Sequence, residues 1–117
     1  MREIVLHKQG NTDCNIQIEL ADSFWQRFFG LMGRNHLSHN RGLLIKPCNS
    51  VHMCFMRFPI DVVYLVPDTN GYRVKKVVSN LRPWLGLSAC WRANCTLELA
   101  AGAADEYGIV AGDILTF

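Results

Sequence analysis

The chain has 117 residues, of which 50% are hydrophobic and 19% are charged, and its formal net charge is +2. This length predicts a single domain over residues 1–117, and this apolar content excludes a disordered chain. The charge is too small to predict nucleic-acid binding. No apolar run reaches the ~20 residues of a membrane span, and the first residues lack the apolar core of a secretion signal. We therefore expect a cytoplasmic protein with no membrane partner.

The first part of the chain predicts two strands and then a helix. The segments "REIVLH" and "CNIQIELA" have the apolar spacing of strands, and the turn residues "KQGNTD" between them predict a hairpin. In "ADSFWQRFFGLMGR" the apolar residues recur at helical spacing instead, after the possible caps Asp22 and Ser23. We therefore predict the main helix over residues 22–32 and interpret its Phe and Trp side chains as core.

The remaining chain predicts mostly short strands. They are expected at "RGLLI", "CNSVHMCFM", "IDVVYLV", "YRVKKVVSNL", "CTLELA" and "DILTF", with a hairpin turn at Asn70-Gly71. The segment "RPWLGLSACWRAN" predicts a long irregular loop, and "AADEYG" predicts a single helical turn. This mixture predicts an α+β fold: a small β-rich domain in which a partly closed barrel, or a strongly coiled sheet of short strands, has the main helix packed on it.

The stretch "SVHMCFMRFPIDVVYLV" is apolar enough to be buried and nevertheless contains polar residues. Asp61 stands at the head of a predicted strand and shares a face with Val63 and Leu65. An unpaired buried carboxylate is strongly unfavourable, so Asp61 must find partners if it is buried. We interpret Asp61 as a structural anchor that accepts backbone N–H bonds or pairs with Arg34. The alternatives are a general base in a pocket and a solvent-exposed side chain.

Four further residues complete a candidate ligand-binding site. His52 is either a core histidine or a donor at the mouth of a pocket. Arg57 either points to solvent or binds an anion together with Arg34 or Arg82, and Arg34 follows the end of the predicted helix, where a cation is favourable. Trp84 lies beside Arg82 in "LRPW", where the two suit a sugar, a base or a peptide side chain, or latch the loop. The predicted ligand-binding set is therefore His52, Arg57, Asp61, Arg34 and Trp84.

The five cysteines are odd in number, which argues against a complete disulfide framework. We expect small buried thiols in a reducing compartment, with no disulfide and no metal. A zinc site that includes Cys48, His52 and Cys54 is the alternative, although the spacing is not that of paired Cys-x-x-Cys motifs. A nucleophilic Cys54 activated by His52 is disfavoured, because residues two apart on a strand have a fixed separation. No cofactor is predicted, since no glycine-rich phosphate loop is present.

Six blocks of the chain occur in an order that resembles a known family. They are "RFFGLMGR", "GLLI", "VHMCFMRFPIDVVYLV", "LRPW", "LELAAG" and "GIVAGDIL". The chain resembles domain-of-unknown-function family 192, a bacterial and archaeal group, over nearly its whole length, and the central block is the most specific. Where many relatives have a polar Lys-Asn-Thr run, this chain has Cys54-Phe55-Met56. The resemblance implies a compact β-rich domain and no established activity.

Three functions are compatible with these residues. The first is a binding or accessory module that holds a small polar ligand or a peptide segment in the His/Arg/Asp/Trp pocket. The second is a small enzyme that uses Asp61 as base and His52 as acid. The third is a protein-interaction domain without pocket chemistry, in which the Trp84 loop docks a partner. A deep pocket lined by His52 and Asp61 favours the first two functions, whereas a flat surface with an exposed Trp84 favours the third. The oligomeric state is not predicted.

Overall fold

The computed structural model describes residues 2–8, 11–21, 34–53 and 56–117. Its helix and strands, in chain order, are β1 (Arg2–Lys8), β2 (Asn11–Ala21), β3 (Arg41–Ile45), β4 (Ser50–His52), β5 (Ile60–Asp68), β6 (Gly71–Leu81), β7 (Leu87–Ala89), β8 (Cys95–Ala100), α1 (Ala103–Glu106) and β9 (Ile114–Thr116). Within these ranges no helix is long and apolar enough to cross a membrane.

Seven of the strands form a closed barrel in the order β1-β2-β3-β8-β5-β6-β9, and the pairing of β9 with β1 closes it. The pair β2 and β3 is parallel, with Gln17 opposite Arg41 and Ala21 opposite Ile45. The other barrel neighbours are antiparallel. A parallel pair cannot be joined by a tight turn, and these two strands are separated by 19 residues in the sequence. Strands β4 and β7 form a separate two-stranded sheet.

Strand β5 is buried on both faces, because two apolar clusters meet on it. Val63 and Leu65 belong to the first cluster, together with Leu97 of β8. Val62 and Tyr64 point to the opposite face and belong to the second cluster, which also contains Met53 after β4. Both clusters therefore stabilise the same strand. This explains why "IDVVYLV" reads as a continuous apolar run rather than as an alternation.

Gly42 in β3 is a point of close packing in this sheet. A Cβ at this position would lie 2.7 Å from Leu99 Cδ2, 2.8 Å from Ile18 Cδ1 and 2.9 Å from the carbonyl oxygen of Glu98. All three distances are shorter than real Cβ atoms tolerate, so a larger residue would force its neighbours apart. The glycine in "RGLLI" therefore allows β3 to lie close to β2 and β8.

The predicted β-rich domain and most of the predicted strands are confirmed, and so is the single helical turn, which is α1. The barrel is closed rather than partly closed, and the described elements are mostly strands with one short helix, so the predicted α+β class is only loosely supported. Two local predictions need correction. The loop "RPWLGLSACWRAN" contains the strand β7, and only Ser50–His52 of "CNSVHMCFM" is a strand, because β4 and β7 pair only with each other. The helix predicted over residues 22–32 lies outside the described residues.

Candidate functional site

Asp61 lies at the head of β5, and its side chain is 1% exposed. Its Oδ1 accepts a hydrogen bond of 2.9 Å from the backbone N–H of Asn80. Its Oδ2 accepts two bonds of 3.0 Å, from the N–H groups of Gly102 and Ala104. The prediction that Asp61 accepts backbone hydrogen bonds is therefore confirmed. The carboxylate joins the head of β5 to the end of β6 and to the start of α1, and three donors satisfy both of its oxygens.

The two arginines of the predicted site have other partners. Arg34 Nη2 donates to Glu19 Oε2 over 2.8 Å, and Arg41 Nη2 lies 3.6 Å from the other oxygen of the same carboxylate. The hydrogen bond from Arg34 lowers the pKa of Glu19 below its ordinary value, although partial burial opposes this effect. Arg57 is exposed and donates to Asn35 Oδ1 over 2.8 Å. Asn35 directly follows Arg34, so the structure brings the two arginines into one neighbourhood but pairs neither with Asp61.

The Trp84 turn docks on the segment that follows β4. The N–H of Trp84 donates to the carbonyl oxygen of Met53 over 2.7 Å, and the N–H of Met53 donates to Gly86 over 2.9 Å. Trp84 has φ 65°, in the left-handed region. His52 pairs with Leu87 through the backbone, and its side chain lies outside the part of the chain that the structure describes. The structure therefore places the backbone of His52 beside the Trp84 turn.

Large apolar side chains are exposed along this turn and along β7. Leu85 is 86% exposed, Leu87 is 78% exposed and Trp91 is 86% exposed. Trp84 is 57% exposed and also contacts other residues of the chain. We call these four residues the Trp84–Trp91 surface. They lie within eight consecutive positions of the chain, and large exposed apolar patches mark interaction sites on protein surfaces. Of these four residues only Trp84 belongs to the predicted ligand-binding set, although the run "WLGLSACW" contains them all.

Glu98 is a buried acidic residue that the sequence analysis did not single out. It lies in the middle of β8, between Leu43 of β3 and Val62 of β5, and it is 6% exposed. Burial raises its pKa to about 7, and the positive charge of Arg34 only partly opposes the rise. The alternation in "CTLELA" places Thr96 and Glu98 on one face. That face is buried because the second apolar cluster covers the neighbouring strands.

An open depression of about 260 Å³ is lined by residues outside the predicted ligand-binding set: Pro47, Cys48, Asn49, Ala93 and Asn94. Cys48, Cys90 and Cys95 are free thiols. Burial raises the pKa of Cys95 to about 12. In the described part of the chain, no group of three or more His, Cys, Asp or Glu side chains is placed to hold a metal ion. The side chains of Cys14 and Cys54 lie outside this part.

A family model described as "DUF192: Uncharacterized ACR" matches residues 5–117, which is almost the whole chain. The chain belongs to the DUF192 family. This confirms the resemblance of the six sequence blocks. No curated protein sequence matches this DUF192 chain.

Two crystal structures share the fold of this DUF192 chain. A protein of unknown function from Novosphingobium aromaticivorans is similar with a TM-score of 0.82 and 22% identity, over 98% of this chain and 85% of that one. A protein from Sinorhizobium meliloti, named as a proposed transcription regulator, has a TM-score of 0.82 and 23% identity, over 97% of this chain and 90% of that one. At these identities the similarities show the fold alone.

Proposed function

We propose that this DUF192 chain is a binding module that docks a partner protein on the Trp84–Trp91 surface. The supporting observation is the exposure of Leu85, Leu87 and Trp91, at 86%, 78% and 86%. Four of the six exposed large apolar residues of the described chain fall between positions 84 and 91. Such exposure is unfavourable in water, and burial against a partner recovers about 25 cal/mol for each Å² that is covered.

Hydrogen bonds hold both ends of the Trp84–Trp91 surface, which reduces the conformational entropy that docking would cost. The hydrogen bonds between Met53 and the residues Trp84 and Gly86 fix one end of it. At the other end, Cys90 donates its N–H to Asn49 over 2.8 Å, and Lys76 Nζ donates to the carbonyl oxygen of Ala89 over 3.1 Å. A surface held in its binding conformation loses less conformational entropy on association.

Its composition fits a protein partner. Tryptophan and arginine are the residue types that most often dominate the binding free energy of protein interfaces. Arg82 lies two positions before Trp84, and Arg92 directly follows Trp91. An exposed Trp84 is also what a protein-interaction domain predicts, whereas the other two functions predict a deep pocket.

The other two functions, a pocket for a small polar ligand and a small enzyme, remain predictions. Asp61 is enclosed and its oxygens are satisfied by three backbone donors, which does not favour a role as general base or ligand acceptor. Arg34 and Arg57 share a neighbourhood through Asn35, which is the part of the predicted ligand-binding set that the geometry supports best.

The test is a selection from a displayed library of random peptides, followed by titration of the enriched peptides against purified variants. The Leu85→Ser, Trp91→Ala double variant should bind at least about tenfold more weakly than wild type, because two anchors are removed. Val110→Ser is the matched control, since Val110 is 59% exposed and lies outside the surface. Equal binding by all three proteins, or a selection that enriches no peptide, would contradict the proposal. Circular dichroism verifies that the variants fold.

A further inference from the structure

The chain that carries the Trp84–Trp91 surface has an uneven distribution of charge. Between Asp68 and Glu98 there is no Asp or Glu, whereas Arg73, Lys75, Lys76, Arg82 and Arg92 all fall in this stretch. The whole chain has 12 Lys and Arg against 10 Asp and Glu, so its net charge of +2 conceals this local excess. A local field of one sign attracts partners of the opposite sign.

Three of these cations lie next to the Trp84–Trp91 surface. Lys76 reaches the loop through its hydrogen bond of 3.1 Å to the carbonyl oxygen of Ala89. Arg82 begins the turn, where its carbonyl oxygen accepts the N–H of Gly86 over 2.9 Å, and Arg92 directly follows Trp91. All three side chains are exposed. These cations therefore flank the apolar residues in the chain or contact the same loop, and we call the three of them the positive rim.

Several cations elsewhere in the barrel have acidic partners. Arg34 pairs with Glu19 at 2.8 Å, Lys8 lies 3.5 Å from Asp113, and Arg73 lies 3.7 Å from Asp68. In the described part of the chain, no acidic side chain pairs with the three cations of the rim: Lys76, Arg82 and Arg92. The charges of these three exposed cations are therefore not neutralised by a described acidic side chain and can pair with an external anion.

We infer that the Trp84–Trp91 surface recognises an acidic segment of a partner protein, in which apolar side chains cover Leu85, Leu87 and Trp91 while carboxylates pair with Arg82, Arg92 and Lys76. This inference rests on the proposed function. An apolar centre inside a charged rim is the usual organisation of a protein interface. Charge complementarity at such a rim sets specificity and the association rate.

Other anionic partners fit the surface less well. An anionic lipid surface is typically bound by clusters of about 4–8 Lys and Arg, which exceeds the three cations of the rim. A nucleic-acid-binding domain typically has an isoelectric point above about 9, whereas this chain has an isoelectric point of about 8.3. A segment that combines carboxylates with apolar anchors satisfies both halves of the surface.

The experiment uses one peptide from the library selection and a copy in which Asn and Gln replace its Asp and Glu. The acidic peptide should bind wild type at least about tenfold more tightly, and raising the salt concentration should reduce the difference. Arg92→Glu should weaken the acidic peptide strongly. The charge-matched control Arg73→Glu should leave it nearly unchanged.

The outcomes separate the two levels of the proposal. Equal binding of both peptides would overturn the acidic partner and leave the docking surface in place. Preferential binding to phosphatidylglycerol vesicles or to an oligothymidylate would overturn the acidic partner as well. If the Leu85→Ser, Trp91→Ala variant binds the peptide as wild type does, the docking surface itself is wrong.

Discussion

The carboxylate of Asp61 on β5 accepts a 3.0 Å hydrogen bond from the backbone N–H of Gly102, which lies 41 residues further along the chain. The same oxygen accepts the N–H of Ala104 inside α1. One buried side chain therefore holds the segment after β8 against the end of the barrel. It also satisfies backbone donors that would otherwise be buried without acceptors.

The first prediction concerns this anchor. Asp61→Asn should lower the free energy of unfolding by about 1–3 kcal/mol, because the new amide group turns a donor toward backbone N–H groups and leaves at least one of them unpaired. Urea denaturation at neutral pH measures the change. Asp105→Asn is the control, since Asp105 is exposed on α1. An Asp61→Asn protein as stable as the control would show that the anchor contributes nothing.

The second prediction concerns close packing in β3. Gly42→Ala should destabilise the fold by about 1–3 kcal/mol, because the added methyl group must displace the side chains of Leu99 and Ile18 and a neighbouring carbonyl oxygen. Thermal unfolding should show a clearly lower Tm. Ser79→Ala, at an exposed position of β6, should leave the Tm nearly unchanged. Equal melting temperatures would mean that the barrel relaxes freely around this position.

The third prediction is a pH dependence that comes from Glu98. Its pKa is about 7 in the folded protein against an ordinary 4.5. Between these values the folded state binds more protons than the unfolded state, so the contribution of Glu98 to stability falls as the pH rises from 4.5 to 7. Above this range the ionised, buried carboxylate destabilises the fold, on the order of 3 kcal/mol.

Glu98→Gln removes this titration. The difference in unfolding free energy between Glu98→Gln and wild type should therefore rise between pH 4.5 and 7 in favour of the variant, and then level off. Taking the difference removes the contributions that the two proteins share. Glu19→Gln is the contrast, because the lowered pKa of Glu19 stabilises the fold at neutral pH and this contribution is lost as the pH falls below 4.5. A difference that stays flat with pH would refute the burial of Glu98.

The fourth prediction concerns the thiols. In the native protein at pH 8, a thiol reagent should modify the partly exposed Cys48 and Cys90 well before Cys95, which is buried and has a pKa raised to about 12. Mass spectrometry of peptides measures the order. In denaturant all five cysteines should react, and elemental analysis should find no stoichiometric zinc. A disulfide-linked peptide pair or one zinc per chain would contradict the predicted reduced, metal-free state.

Local patterns in the sequence determined most of the strands, the turn at Asn70-Gly71 and the single helical turn α1. They also determined that Asp61 needs hydrogen-bond donors, because the residues around it are apolar and a buried carboxylate without partners is unfavourable. These features depend on neighbours within a few positions. Side-chain alternation and turn chemistry report them directly.

Tertiary structure alone decided which strands pair and which side chains remain outside. The closure of the barrel by β9 and β1, and the parallel pairing of β2 with β3, depend on backbone hydrogen bonds between distant segments. The pairing of β7 with β4 leaves Leu87 exposed. Packing on both faces of the sheet buries Glu98. The local spacing of apolar residues does not depend on these long-range contacts. It therefore predicted neither the exposure of Leu87 nor the burial of Glu98.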